Sequence, residues 1–199
     1  MGEMLHCVQH DNTTCPRRNG VKTIDEVPNR LVTLVNTGRG MRTFDLRAGD
    51  DILGKLEFGP LNSFDRAEAA DGRWMFVRNE YLTRVKIGAL ETGTQVATYT
   101  AGWLCKGMLE FTNGHRFQWK CNNLLGTTWA WKQQGGAPLL SFSSILSWRT
   151  EVQVALMPVA RSLPELSLLA LLGSYLLLGL YGGGVPLPRW LAARKVCRS

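Results

Sequence analysis

The sequence lacks the motifs on which the common enzyme classes depend. It contains no GxSxG, no glycine-rich phosphate-binding loop, no HExxH and no paired-carboxylate motif. A cysteine nucleophile needs a base beside it, but His115 and Cys121 stand on one predicted strand with about 20 Å between them when it is extended. We therefore expect no catalytic residues, no cofactor and no enzymatic activity.

Histidine is scarce, with three in 199 residues, and the cysteines do not have the paired spacing of a metal site. Four potential ligands crowd one short stretch: His6, Cys7, His10 and Cys15. A structural zinc site uses two close ligand pairs separated by a longer loop. The sequence therefore predicts no metal site.

Signals for secretion and for lipid anchoring are also missing. Met1 to Asn19 is polar and holds no secretory apolar core. The five cysteines are an odd number without close pairing, as expected in a reducing compartment. Neither Gly2 nor Cys197 stands in a lipidation motif. We expect a cytoplasmic protein, with peripheral association at the membrane as a further hypothesis.

Short alternations of apolar and polar residues fill the chain between about residues 41 and 157, separated by glycine turns. Such period-two patterns are typical of strands with one buried face. The clearest alternations cover residues 52–58, 84–89, 115–121, 127–132 and 151–156. Turn signals occur at Asp71-Gly72, Thr92-Gly93, Asn113-Gly114 and Gly135-Gly136. The pattern predicts an antiparallel meander, since the connections are too short for crossover helices.

The turn at Asn113-Gly114 can be predicted in more detail. A two-residue loop would place Phe111 opposite Arg116 and mix the two faces of the hairpin. A three-residue loop from Thr112 to Gly114, with Gly114 left-handed, pairs Phe111 with His115 and keeps the apolar face intact. We therefore predict the bulged turn.

One segment near the C-terminus is apolar on every side. Residues 166–181 hold nine leucines and no charged side chain. Ser162 is the predicted N-cap, Pro164 and Glu165 suit the first turn, and glycines 182–184 end the helix. A helix without a polar face must be buried in a core or in a bilayer.

The length of this helix and the number of strands favour a core. Sixteen residues span about 24 Å, less than the roughly 30 Å of hydrocarbon in a bilayer. A long meander of one-faced strands needs a cover for its apolar face, and a helix inside a closed barrel meets both needs. We predict an all-β fold, a closed antiparallel β-barrel of about 12 strands around a buried hydrophobic C-terminal helix. The alternative is a β-domain anchored by residues 165–181 as a single transmembrane segment, with the basic tail in the cytosol.

The predicted organisation has three parts. Residues 1–30 form a flexible arm, residues 31–184 form the barrel with its central helix at 164–181, and residues 185–199 form a basic tail. The three tryptophans of two neighbouring predicted strands, Trp119, Trp129 and Trp131, are expected in the core.

Three segments carry a resemblance to a known superfamily: the run from Met108 to Trp119, MLEFTNGHRFQW, the tryptophan strand from Trp129 to Trp131, and the helix at 166–181. A long meander followed by one apolar helix resembles the tubby C-terminal-like superfamily of Tubby proteins, LURP-one-related proteins and phospholipid scramblases. The resemblance spans about residues 41–181. It implies a barrel wrapped around a hydrophobic helix and, by analogy with Tubby proteins, binding of phosphoinositide headgroups by basic residues on the barrel surface.

One departure from the scramblase pattern bears on the function. In scramblases an acidic calcium-binding segment precedes the last helix, whereas Glu151 is the sole acid in residues 148–164 here. This difference argues against calcium-dependent scrambling. Lipid transport of a scramblase-like kind stays as a second alternative function.

Positive charge indicates where a partner binds. The net charge is +7, which favours an anionic partner. The strand pattern places four basic residues on one outer face: Lys106, Arg116, Lys120 and Lys132. Three more belong to the tail: Arg189, Arg194 and Lys195. These seven form the predicted site for anionic phospholipid headgroups, with an unidentified protein partner as the alternative and no nucleic acid expected.

Overall fold

A computed structural model describes residues 22–27, 31–38, 42–60, 64–79, 83–102, 106–123, 127–133, 135–146 and 150–181. Most of the predicted arm, including His6, Cys7, His10 and Cys15, lies outside these residues, as does the basic tail.

Within the described residues, twelve strands form a closed antiparallel barrel, as predicted. In chain order the strands are β1 Leu31–Asn36, β2 Thr43–Ala48, β3 Asp51–Glu57, β4 Asp65–Ala69, β5 Gly72–Arg78, β6 Arg84–Ala89, β7 Gln95–Ala101, β8 Lys106–Phe111, β9 Arg116–Cys121, β10 Thr128–Gln133, β11 Pro138–Leu146 and β12 Thr150–Leu156. Each strand pairs with its neighbours in sequence, and β1 pairs with β12 to close the ring. At that closure Val32 stands opposite Val154 and Leu34 opposite Val152, all four buried.

The bulged turn between β8 and β9 is confirmed. The Phe111 amide donates to the His115 carbonyl at 2.9 Å, and Leu109 stands opposite Phe117. Gly114 has φ +89°, a conformation that glycine adopts without the steric penalty of a side chain. Leu109, Phe111, Phe117 and Trp119 therefore point into the barrel.

The helix α1, Leu166–Tyr181, occupies the interior of the barrel. Each residue from Leu166 to Gly179 is buried, and the helix contacts β3, β4, β10, β11 and β12. No helix in the described part of the chain is both long enough and apolar enough to cross a membrane.

The predicted start of the helix needs correction. Ser162 belongs to a short 3-10 helix, Pro158–Ser162, where its hydroxyl donates to the Val159 carbonyl instead of capping α1. Pro164 lies in the turn that follows, and the first carbonyl to accept an α-helical bond is that of Glu165, from the Leu169 amide at 2.9 Å. The local 3-10 hydrogen bonds use the groups that the expected cap would have needed.

Aromatic residues of the wall hold the helix closely. Trp119, Trp129 and Trp131 are buried, as predicted. The Trp131 Nε1–H donates to the Leu169 carbonyl at 2.9 Å, a buried bond between wall and helix. The wall approaches α1 closely at Gly173, where an added Cβ would lie 2.8 Å from Trp131 Nε1 and closer still to the Phe142 ring. Gly173 thus provides the space into which two wall aromatics pack.

Replacing this glycine tests that packing. In an exposed helix Gly→Ala stabilises by about 1 kcal/mol, but here we expect Gly173→Ala to destabilise by about 1–3 kcal/mol because two buried rings must shift. Urea unfolding measures the difference. Ser174→Ala is the control, since its hydroxyl bonds only within the helix, to the Ala170 carbonyl. A Gly173→Ala protein as stable as the wild type would contradict this packing.

Candidate functional site

Strand pairing joins outward-facing side chains of β6 to β10 into one continuous surface. Arg84 stands opposite Thr100, Thr100 opposite Met108, Met108 opposite Gln118 and Gln118 opposite Lys132. This row crosses five strands, or about 19 Å at 4.8 Å per strand spacing. It has a cation at each end and uncharged residues between them.

The flanking rows add further charge. On one side Lys106 stands directly opposite Lys120. On the other side Glu110 stands opposite Arg116, and Lys86 belongs to the same row, two strands away. We define the basic face as the six cations at described outward positions of β6 to β10: Arg84, Lys86, Lys106, Arg116, Lys120 and Lys132. At those positions the one acid is Glu110.

The four barrel residues predicted for the anion site therefore lie on this face. Arg116 has a counter-charge on this face, because its guanidinium forms an ion pair with Glu110 at 3.2 Å. Lys106 and Lys120 are the pair of like charges that directly oppose each other, an arrangement that an anion between them would stabilise. Arg189, Arg194 and Lys195 lie outside the described residues.

Ion pairs neutralise much of the charge on β2, β3 and β5. Arg47 Nη2 lies 2.9 Å from Asp45, and Arg73 pairs with Glu91 across 2.5 Å. Lys55 bonds the Glu57 carboxylate at 2.8 Å, and this hydrogen bond raises the pKa of the lysine. The excess positive charge of the described wall is therefore concentrated on the basic face.

A groove of about 460 Å³ opens at one end of the basic face. Residues of β5, β6, β7 and the connection between β5 and β6 line it: Val77, Arg78, Asn79, Thr83, Arg84, Lys86, Thr100 and Ala101. The lining contains three cations and no acidic side chain. The Asn79 side chain shapes its edge, donating to Thr83 Oγ1 at 2.6 Å and accepting from the Arg84 amide. Hydroxyl and guanidinium groups in this combination suit a phosphate oxygen.

Sequence reasoning did not include Arg78, Arg84 or Lys86. Arg84 and Lys86 were visible as the polar half of an alternating strand, but only the register through β7 and β8 makes them neighbours of the predicted lysines. Arg78 carries no such signal. It follows Phe76 at the inward-facing spacing of β5 and is the last residue of that strand, beside the groove.

Arg78 also contacts a buried polar group between wall and helix. Asp65 on β4 is 1 % exposed. Its Oδ2 accepts a hydrogen bond from the Tyr175 hydroxyl at 2.7 Å, its Oδ1 accepts one from the Gly59 amide at 2.9 Å, and Arg78 Nε lies 3.7 Å from Oδ2. Burial, together with the Asp65 carboxylate, raises the pKa of the Tyr175 phenol. Tyr175 therefore remains protonated and acts as a donor.

A second polar contact secures the start of the helix. His115 Nδ1 lies 2.6 Å from Glu165 Oε1, which also accepts from the Asn113 side-chain amide at 3.2 Å. A carboxylate at this position interacts favourably with the positive end of the helix dipole. Cys121 bonds elsewhere, with its Sγ 3.0 Å from the Asn123 carbonyl, so His115 and Cys121 do not form a nucleophile–base pair. In the described part of the chain, no three His, Cys, Asp or Glu side chains are grouped so as to hold a metal ion.

Comparison of the chain with protein-family models, with curated proteins and with solved structures finds no match. The tubby-like resemblance stays a prediction.

The buried carboxylate should matter more to stability than an exposed one. We expect Asp65→Ala to destabilise the protein by about 3–5 kcal/mol, because it leaves the largely buried guanidinium of Arg78 without its counter-charge. Asp51→Ala is the matched control. Its pair with Lys22 is half exposed and should contribute about 0–1 kcal/mol. Similar midpoints of chemical unfolding for the two variants would contradict this difference.

Proposed function

We propose that this protein is a non-enzymatic barrel that binds the phosphate-bearing headgroups of anionic phospholipids through its basic face. The observation that carries the proposal is the register of β6 to β10, which collects six cations and one acid on a continuous outer surface. The groove beside Arg84 and Lys86 provides a concave site at the edge of that surface.

The binding free energy expected for the basic face suits reversible binding at a membrane surface. A basic residue close to an anionic bilayer contributes about 1 kcal/mol, so six cations less one acid give roughly 5 kcal/mol. That corresponds to a dissociation constant somewhat below 1 mM, since about 4.1 kcal/mol corresponds to 1 mM. Binding of this kind weakens as salt shortens the Debye length.

The side chains between the cations favour a headgroup surface over single-stranded nucleic acid. Proteins that bind single strands stack the bases on aromatic rings. The described outward positions of β6 to β10 carry Thr98, Thr100, Met108 and Gln118 between the cations, and no aromatic residue. The tubby-like resemblance points in the same direction, because it implies recognition of headgroups by a basic barrel surface.

Charge reversal on the face is the direct test. We expect a protein carrying Lys106→Glu, Lys120→Glu and Lys132→Glu to bind vesicles of phosphatidylcholine with phosphatidylserine at least about tenfold more weakly than the wild type. Co-sedimentation measures the bound fraction, and vesicles of phosphatidylcholine alone should bind neither protein.

The matched control carries the same charge change elsewhere: Lys22→Glu, Lys55→Glu and Arg66→Glu. These residues are exposed and lie outside the basic face, with Lys55 on β3, Arg66 on β4 and Lys22 paired with Asp51 of β3. Equal loss in the two triple variants would show that net charge matters and the face does not. Failure of the wild type to bind the anionic vesicles would refute the proposal.

Removing the acid should have the opposite effect. Glu110→Gln frees Arg116 from its ion pair and raises the charge of the face by one. We expect affinity for the same vesicles to rise by about threefold to fivefold, corresponding to roughly 1 kcal/mol. Glu57→Gln, which removes an exposed acid paired with Lys55, is the control. A decrease in affinity for Glu110→Gln would count against the face.

A further inference from the structure

We infer that Asp65 and Tyr175, inside the barrel, are positioning residues that set the affinity of the groove for a phosphate group by controlling Arg78. The inference rests on the proposed anion-binding function and adds a regulator to it. Arg78 is the shared element, since it is one of the residues that line the groove and its side chain also faces the buried Asp65 carboxylate.

The Asp65 carboxylate is already satisfied by neutral donors. Tyr175 donates to Oδ2 and the Gly59 amide to Oδ1. Arg78 Nε remains 3.7 Å from Oδ2, too far for a hydrogen bond. Because the hydroxyl of Tyr175 occupies the oxygen that Arg78 faces, it moderates the attraction of Asp65 for the guanidinium.

The Arg78 guanidinium has a hydrogen-bond donor that is not used in the described part of the chain. Its Nη1 is buried and has no hydrogen-bond partner among the described residues. Arg84 and Lys86, on the same groove, add positive charge beside it. An anion in the groove would balance the charge of the three cations. Asp65 and the anion therefore compete for Arg78.

Tyr175 is held firmly enough to perform this role. Its ring stacks on Phe58 with centroids 5.3 Å apart and meets Phe76 edge-on at 5.1 Å. These contacts involve the ring alone, so Tyr175→Phe removes the hydroxyl while the packing remains. Without that donor, Asp65 Oδ2 loses a hydrogen bond and draws Arg78 closer, away from the groove.

The test is a titration with inorganic phosphate at constant ionic strength, followed by the NMR resonance of the Arg78 Nε–H group. In the wild type we expect phosphate to shift this resonance. Tyr175→Phe should shift it before any phosphate is added and should weaken phosphate binding about tenfold, a typical coupling between linked sites. Ser174→Ala, which removes a neighbouring buried hydroxyl that bonds to Ala170, should bind phosphate like the wild type.

A double-mutant cycle separates positioning from general destabilisation. Arg78→Lys keeps the charge but removes the guanidinium fork, so Tyr175→Phe should change phosphate affinity little in that background. An unmoved Arg78 resonance in the wild type, equal affinity of wild type and Tyr175→Phe, or equal losses in Tyr175→Phe and Ser174→Ala would each overturn the inference. None of these results depends on vesicle binding through Lys106, Lys120 and Lys132, so the proposed function stands or falls separately.

Discussion

The absence of a polar side on α1 is the constraint on which the rest of the structure depends. A helix that is apolar all round must be enclosed all round, and a closed sheet encloses it without leaving an exposed strand edge. The inward-facing residues of each strand are therefore needed to cover the helix. The outward-facing residues do not have to meet that requirement, and on β6 to β10 they include the cations of the basic face.

Leucine packing alone leaves the helix free to slide or turn, because one leucine surface resembles another. Three polar contacts from three parts of the wall remove that freedom. Glu165 bonds the turn between β8 and β9, the Leu169 carbonyl accepts from Trp131 on β10, and Tyr175 bonds Asp65 on β4. Glu165 and Tyr175 are about 15 Å apart along the axis, so these contacts fix both depth and rotation. The last of these contacts also involves Arg78, because Asp65 accepts the bond from Tyr175 and lies 3.7 Å from the Arg78 Nε.

Much of the fold follows from local pattern, and the site follows only in part. The alternation at residues 116–121 determines which side faces inward, so the placement of Arg116 and Lys120 on the outer face could be predicted, as could the turn at Gly114. The contribution of Arg84 could not, because its place in the same outward-facing row as Lys132 depends on the register of four strand pairs and on the short bulge-free run through β7 to β9. Arg78 was not predicted as a site residue because its spacing in β5 is that of an inward-facing residue. The prediction of Ser162 as the N-cap was wrong because 3-10 helices and α-helices begin with the same capping residues.

The position of α1 in the sequence has a consequence for how the chain folds. The helix follows all twelve strands, and β1 closes on β12, so the two ends of the meander meet across nearly the whole described chain. The residues of the wall are therefore synthesised before the helix that fills it. A ring sealed at that stage would have no filling, and the loss of entropy on joining distant strands would have little apolar contact to offset it. The pairing between β1 and β12 must form together with the helix or after it. Closure of the barrel therefore depends on the segment that is synthesised after the twelve strands.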